Sequence, residues 1–204
     1  MKATNLAKLR KEMEQALERK RYEHTLGVAY TAANLAMVHG VDVEKALTAG
    51  MLHDCAKCIS HHKQLTICRK HKMMLSEIES ENHSPLLHAK AGSCLARKKY
   101  GITDEEILQA ISYHTTGRPH MSPLEKIIYI ADYIEPGRER AKRSYADVQN
   151  LQEVRKMAYQ DLDKTLCKIL SDTLDYLSRK GDKIDSMTRD TYEYYCQTHQ
   201  GNKE

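Results

Sequence analysis

The sequence predicts an all-α fold, and three observations predict it. Proline is scarce, at four residues in 204, and glycine falls mainly between segments of helical periodicity. No run of alternating apolar and polar residues lasts long enough to make a strand. A chain of this length with 41% hydrophobic residues can fill one sizeable core but not two comfortable ones, so one domain with a helical extension is expected.

The elements follow in order. Leu6, Leu9, Met13 and Leu17 recur at helical spacing in the first segment, and His24, Val28, Thr31, Leu35 and Val38 share a stripe in the second, which Gly40 ends. His24 therefore faces the core. Asp42 is the expected N-cap of a third helix, whose inward face carries Ala46, Gly50, His53, Asp54 and Lys57. A His-rich polar connection runs from about Ser60 to His83. Ser84-Pro85 then has N-cap and N1 chemistry for a helix with His88, Ala91, Gly92 and Leu95 on one face. Gly101 punctuates, and Thr103 with Glu106 reads as a capping box ahead of Ile107, Ala110, Ile111 and His114. Gly117 breaks that helix. Ser122, Pro123 and Glu125 start the next, on which Leu124, Ile128, Ala131, Asp132 and Glu135 share a face. From about Ala146 to Lys180 the leucine pattern predicts one or two amphipathic helices, ended by Gly181, without candidate chemistry.

Composition excludes some classes. Thirty-two Lys and Arg against 28 Asp and Glu leave +4, too little for a protein that coats nucleic acid but enough for a local phosphate site. The first 20 residues lack the apolar stretch of a signal peptide, and nowhere do 18 apolar residues run together, so the expected location is the cytoplasm. In that reducing compartment Cys55, Cys58, Cys68, Cys94, Cys167 and Cys196 are expected as free thiols.

The polar residues on apolar faces carry the chemistry. An unpaired buried charge costs several kcal/mol, roughly, unless a partner or a metal satisfies it. A lone inward histidine is ordinarily a satisfied core residue, but here five helices each deliver one or two polar groups. Together they make His24, His53, Asp54, His88, His114 and Asp132, a mixed nitrogen and oxygen set that suits a transition ion better than magnesium or calcium. Neighbours on a helix point about 100° apart, so His53 and Asp54 can share an ion only if it lies off the seam between them. His24, His53, Asp54 and Asp132 would hold one ion; His88 and His114 would hold a second that shares Asp54. One ion or two stays open.

These residues sit in recognisable stretches: RYEHTLGV, AGMLHDCAK, LLHAKAG and AISYHTTGRPHMSPLEKIIYIADYIEPGR. The pattern resembles the HD-domain superfamily, and HTTGR, MSPLEK and ADYIEP narrow it to the YqeK family of symmetrical diadenosine tetraphosphate (Ap4A) hydrolases. The resemblance covers about residues 18 to 180. It implies an HD-domain helical bundle at about 18–140 with an extension at about 141–204. It also implies iron-dependent hydrolysis of Ap4A to two ADP, with manganese or another transition metal as the alternative cofactor and the same six residues as ligands. Lys57 in HDCAK, and Thr116, Gly117 and Arg118 in HTTGR, fall where the family would contact phosphates and nucleoside; Arg138 in EPGR is a further candidate. Asp54, Lys57 and Arg118 are thus the expected catalytic residues. Cys55 and Cys58 depart from the usual motif, which has aliphatic or aromatic residues there.

The mechanism expected is attack by metal-activated water on one of the two middle phosphates, with Lys57 and Arg118 stabilising the leaving ADP. Tyr113 and Tyr133 neighbour ligand positions, but tyrosines at helical spacing are more often core. The expected partner is a dinucleoside polyphosphate or other nucleotide, with no nucleic acid polymer and no membrane; homodimerisation stays open. Three other readings remain. One is another HD-type nucleotide phosphohydrolase, and another is a non-catalytic metal-binding interaction module. In the third, Cys55-Ala-Lys-Cys58 is a redox or zinc motif, although neither a βαβ setting nor a second ligand pair is evident. His61, His62, His71, His83 and His120 read as exposed imidazoles.

Overall fold

The structure is a computed structural model and describes residues 5–140 and 145–197. Among these there are helices and turns and no strand. Residues 141–144 and 198–204 of the expected extension lie outside the described residues.

The helices are α1 (Leu6–Ala16), α2 (Arg19–Val38), α3 (Val43–Leu52), α4 (His61–Lys70), α5 (Glu77–Ser80), α6 (Leu87–Lys98), α7 (Glu105–Ser112) and α8 (Pro123–Ile134). Then come a 3₁₀ turn (Pro136–Arg140), α9 (Tyr145–Ala158), α10 (Leu162–Lys180) and α11 (Ser186–Tyr192), which runs into a π-helical turn (Glu193–Gln197). Asp42 and Ser122 cap α3 and α8 as expected, the latter as a full capping box with Glu125. Two starts differ. The side chain of Asp104, not Thr103, accepts from the backbone of Glu106 and Ile107 to cap α7. Helix α6 begins at Leu87, two residues after Pro85, with Ser84 Oγ accepting from Leu86 N instead.

The polar connection at 60–83 is largely helical, because Cys68 and its neighbours bury a second small apolar cluster with Ala56, Leu87 and Ala91. Cys167 and Cys196 correct the expectation of free thiols, since a disulfide joins them and so ties α10 to the final turn. Cys55, Cys58, Cys68 and Cys94 are free.

Helix α2 lies against α3 and α8, and α7 packs on α6, α3 and α8, so α2, α3, α6, α7 and α8 surround the site. Helices α2 and α3 approach closely at Gly50, where a Cβ would stand 2.7 Å from the Cα of Ala29. Only a residue without a side chain lets α2 and α3 pack backbone to backbone there. The main core runs without a break into the extension, where Leu151, Val154, Leu166, Ile169 and Leu170 bury against the α8 side of the bundle. No helix among the described residues is long and apolar enough to cross a membrane.

Candidate metal centre

The histidine-aspartate pair is not on a helix. Helix α3 stops at Leu52, and the chain passes through successive tight turns in which Cys55 N donates to Leu52 O and Lys57 N to Asp54 O. His53 is the cap of α3, and its Nδ1 lies 2.7 Å from the carbonyl of Gly50. His114 repeats this device just beyond α7, with Nδ1 2.8 Å from the carbonyl of Ile111. In each case a carbonyl three residues back takes the Nδ1 proton, which leaves Nε2 as a lone pair facing inward. This answers the problem of adjacent residues on one helix diverging: leaving the helix lets His53 and Asp54 turn to the same point.

Asp54, 2% exposed, is at the centre. Its Oδ2 lies 3.3 Å from His53 Nε2 and 3.7 Å from His24 Nε2, while its Oδ1 lies 3.1 Å from His88 Nε2 and 3.8 Å from His114 Nε2. One carboxylate thus divides four imidazoles into two pairs. Asp132 joins the first pair, its Oδ1 3.0 Å from His24 Nε2. Two overlapping groups, His24, His53 and Asp132, and His53, Asp54 and His114, bring their donor atoms within 4.8 Å of one another. The Nε2 atoms of His24 and His53 are buried and lack a hydrogen-bond partner, although carboxylate oxygens stand close. Lone pairs of that kind, beside anionic oxygens, fit a divalent transition ion.

Charge in the site follows from this packing. Burial disfavours the Asp54 carboxylate, yet His53 and His88 outweigh it and hold Asp54 well below the usual carboxylate range. Asp132 is likewise lowered: burial opposes its charge, but His24 and Arg138 prevail. Burial pushes His114 down to about 3, helped by His53 and His88, and lowers His88 as well. Both are therefore neutral imidazoles at pH 7, the form that binds a metal. Burial also lowers the ammonium of Lys57, whose Nζ sits 3.1 Å from His88 Nδ1.

A cavity of about 360 Å³ opens over the cluster. Asp54, His88, His114 and Asp132 line it together with Arg21, Lys57, Thr115, Tyr133 and Arg138. Arg21 Nη1 meets Asp54 Oδ2 at 2.7 Å, and Arg138 Nη2 meets Asp132 Oδ1 at 2.5 Å. Ile169 and Thr173 of α10 complete the wall, so the extension does take part in the site.

The expected substrate residues divide. Lys57 and Arg138 line the cavity, and Thr116, Gly117 and Arg118 do not. Thr116 is buried with its hydroxyl donating to the carbonyl of Gly117. Gly117 has φ +65° and abuts Thr191 of α11, where a Cβ would stand 2.7 Å from the threonine Cγ2. Arg118, expected among the catalytic residues, lies off the cavity, and its guanidinium clasps both oxygens of Glu125, which is 2% exposed, at 2.6 and 2.9 Å. Tyr113 lies beneath Lys90 and Arg118 and off the cavity. Cys55 donates to Gly92 O, and burial pushes its thiol up to about 12, which makes it inert as a nucleophile; the exposed Cys58 does not pair with it. Sequence reasoning missed Arg21, Thr115, Ile169 and Thr173. Arg21 could have been found, because it lies one turn before His24 in RYEHT.

Comparison with known proteins agrees with this geometry. Residues 21–137 match the family described as HD domain. Over 172 residues the chain is 41% identical to the symmetrical bis(5′-nucleosyl)-tetraphosphatase of Halalkalibacterium halodurans, covering 84% of this chain and 87% of that protein. It is 38% identical over 193 residues to the protein of the same name from Staphylococcus aureus, covering 94% of each. The crystal structure of a predicted HD superfamily hydrolase involved in NAD metabolism, from Clostridium acetobutylicum, matches with a TM-score of 0.85 at 42% identity, over 94% of this chain and 97% of that one.

Proposed function

Because the chain belongs to the HD-domain family and, within it, to the symmetrical bis(5′-nucleosyl)-tetraphosphatases, we propose that it hydrolyses diadenosine tetraphosphate to two ADP in a metal-dependent reaction. The observation that carries this is the convergence of four imidazole nitrogens and two carboxylates, of which Asp54, Asp132, His88 and His114 line a cavity rimmed by Arg21, Lys57 and Arg138.

His24, His53, Asp54 and Asp132 would hold one ion, and His88 with His114 a second for which Asp54 is also within reach. Iron is the metal we propose, with manganese as the alternative, since imidazole and carboxylate donors together suit both. The bound metal supplies Lewis acidity and a nucleophile at neutral pH. The chain's own residues do the rest. Arg21 and Arg138 present planar forks that can bind phosphate oxygens in bidentate fashion, and Lys57 adds a point charge against the leaving ADP. The cavity is at the lower end of ligand-site volumes. Ile169 and Tyr133 offer apolar surface to the adenine. The proposed residue set is thus the six ligands with Lys57, Arg21 and Arg138; the region 18–140 provides the ligands, and the extension provides one wall.

The test is product identification on anaerobically purified protein assayed with Ap4A and a panel of other nucleotides. ADP alone is expected. Equal AMP and ATP, or preference for an unrelated nucleotide, refutes the reading.

A further inference from the structure

Glu135 ends α8 and enters none of the roles above, yet it is 3% exposed and its surroundings are shaped around its carboxylate. Oε1 lies 3.1 Å from His24 Nδ1, and Oε2 accepts from the backbone N–H of Gly137 at 2.5 Å. Two glycines make the seat. A Cβ on Gly27 of α2 would stand 2.5 Å from Oε2, and one on Gly137 would stand 2.8 Å from the same atom. The backbone at this point is held from the extension: Arg155 of α9 donates through Nε to Ile134 O at 2.8 Å and through Nη2 to Glu135 O at 3.0 Å.

His24 needs such help. His53 and His114 have their Nδ1 protons taken by carbonyls of their own chain segments, whereas His24 lies within the continuous helix α2, where the carbonyls are engaged in helical hydrogen bonding. A carboxylate from another element is what can take its Nδ1 proton. We propose that Glu135, seated between Gly27 and Gly137 and braced by Arg155, is the positioning residue that fixes the tautomer and ring orientation of His24, so that Nε2 presents its lone pair to the metal. The inference rests on reading the histidine-aspartate cluster as a metal centre and does not depend on which nucleotide is cleaved.

The experiment is a Mn²⁺ titration of the metal-free full chain for wild type, Glu135→Gln, Gly27→Ala, His24→Ala and the Glu135→Gln/His24→Ala double variant. Glutamine keeps the shape, but in either amide orientation one of its two neighbours, the His24 Nδ1–H or the Gly137 N–H, meets a second donor. Loss of an outer partner of a ligating histidine weakens metal binding by about 10–100-fold, and that is the loss expected for Glu135→Gln. Gly27→Ala, which leaves every functional group in place but displaces Oε2, should lose affinity in the same direction. On the His24→Ala background Glu135→Gln should cost nothing further, because Glu135 acts through His24. Imidazole ¹⁵N spectra of the chain loaded with diamagnetic Zn²⁺ should show His24 protonated on Nδ1 in wild type and a weakened Nδ1–H signal in Glu135→Gln.

Mn²⁺ affinity in Glu135→Gln within twofold of wild type overturns the proposal. So does a loss that persists undiminished on the His24→Ala background, which would mark a general structural role. Failure of the wild-type chain to bind Mn²⁺ overturns the metal-centre reading, and the proposal with it.

Discussion

Gly50→Ala tests the packing that builds the site. In an ordinary helix interior this change stabilises, by up to about 1 kcal/mol, because alanine is the better helix former. Here the new Cβ would stand 2.7 Å from Ala29 Cα and 3.1 Å from Ala29 N, about 0.7 Å inside the closest ordinary contact. The atoms it meets are backbone, which cannot swing aside, so α2 and α3 must part. Overpacking of this kind costs roughly 1–3 kcal/mol, which exceeds the propensity gain over most of its range and leaves a net loss of up to about 2 kcal/mol. For a chain of this size that lowers the Tm by up to about 8 °C. Parting the helices also moves His24 on α2 away from His53 at the end of α3, whose rings now lie 5.3 Å apart, so metal affinity should fall together with the Tm. Thermal denaturation followed by circular dichroism, and metal titration of the folded protein, are the assays. Ala29→Gly added to Gly50→Ala should restore little, since the conflict is with main-chain atoms. A Tm equal to or above wild type for Gly50→Ala refutes the reasoning.

Three further outcomes are expected. Asp54→Ala should lose both bound metal and turnover, because the Asp54 carboxylate stands within 4 Å of all four imidazoles; full metal content by elemental analysis would show that the ligand assignment is wrong. The metal-free chain should become less stable as pH falls from 7 to 5. His114 takes up its proton at about 3 when folded and near 6.5 when unfolded, so the unfolded state binds more protons across that window and the stability present above 6.5 is progressively lost. That amounts to about 2 kcal/mol at pH 5. The lowered His88 adds to it and the raised His24 offsets part; a Tm at pH 5 at or above that at pH 7 contradicts the account. Arg118→Ala should destabilise by about 2–4 kcal/mol, since it strands the buried Glu125 carboxylate, while kcat/KM measured well below the Tm stays within about threefold of wild type. A large loss of kcat/KM in a protein of unchanged Tm would return Arg118 to the catalytic role expected from HTTGR.

The pattern of these outcomes reflects how each residue was legible. Polar residues on apolar stripes marked His24, His53, Asp54, His88, His114 and Asp132, because burying such groups without a purpose is costly, and the signal survives in one dimension. A bare arginine carries no such signal. Arg21 and Arg138 line the cavity while Arg118 clasps Glu125, and all three are one residue type in polar stretches. Their difference depends on which carboxylate the fold places within reach. Glu135 is similar: its face on α8 could be read from helical spacing, but its partner His24 lies 111 positions away in the chain.

By itself, then, the sequence determined the all-α class, the starts of α3 and α8 and the six polar residues that face inward, because periodicity, capping and the cost of buried polarity are local properties of the chain. Tertiary structure alone decided that the His53-Asp54 pair leaves its helix, that Asp54 turns one oxygen to each histidine pair, and that α10 closes the cavity wall. It also decided which cations face the site. Each of these rests on close approach between segments far apart in the chain, and no window of sequence contains such a distance.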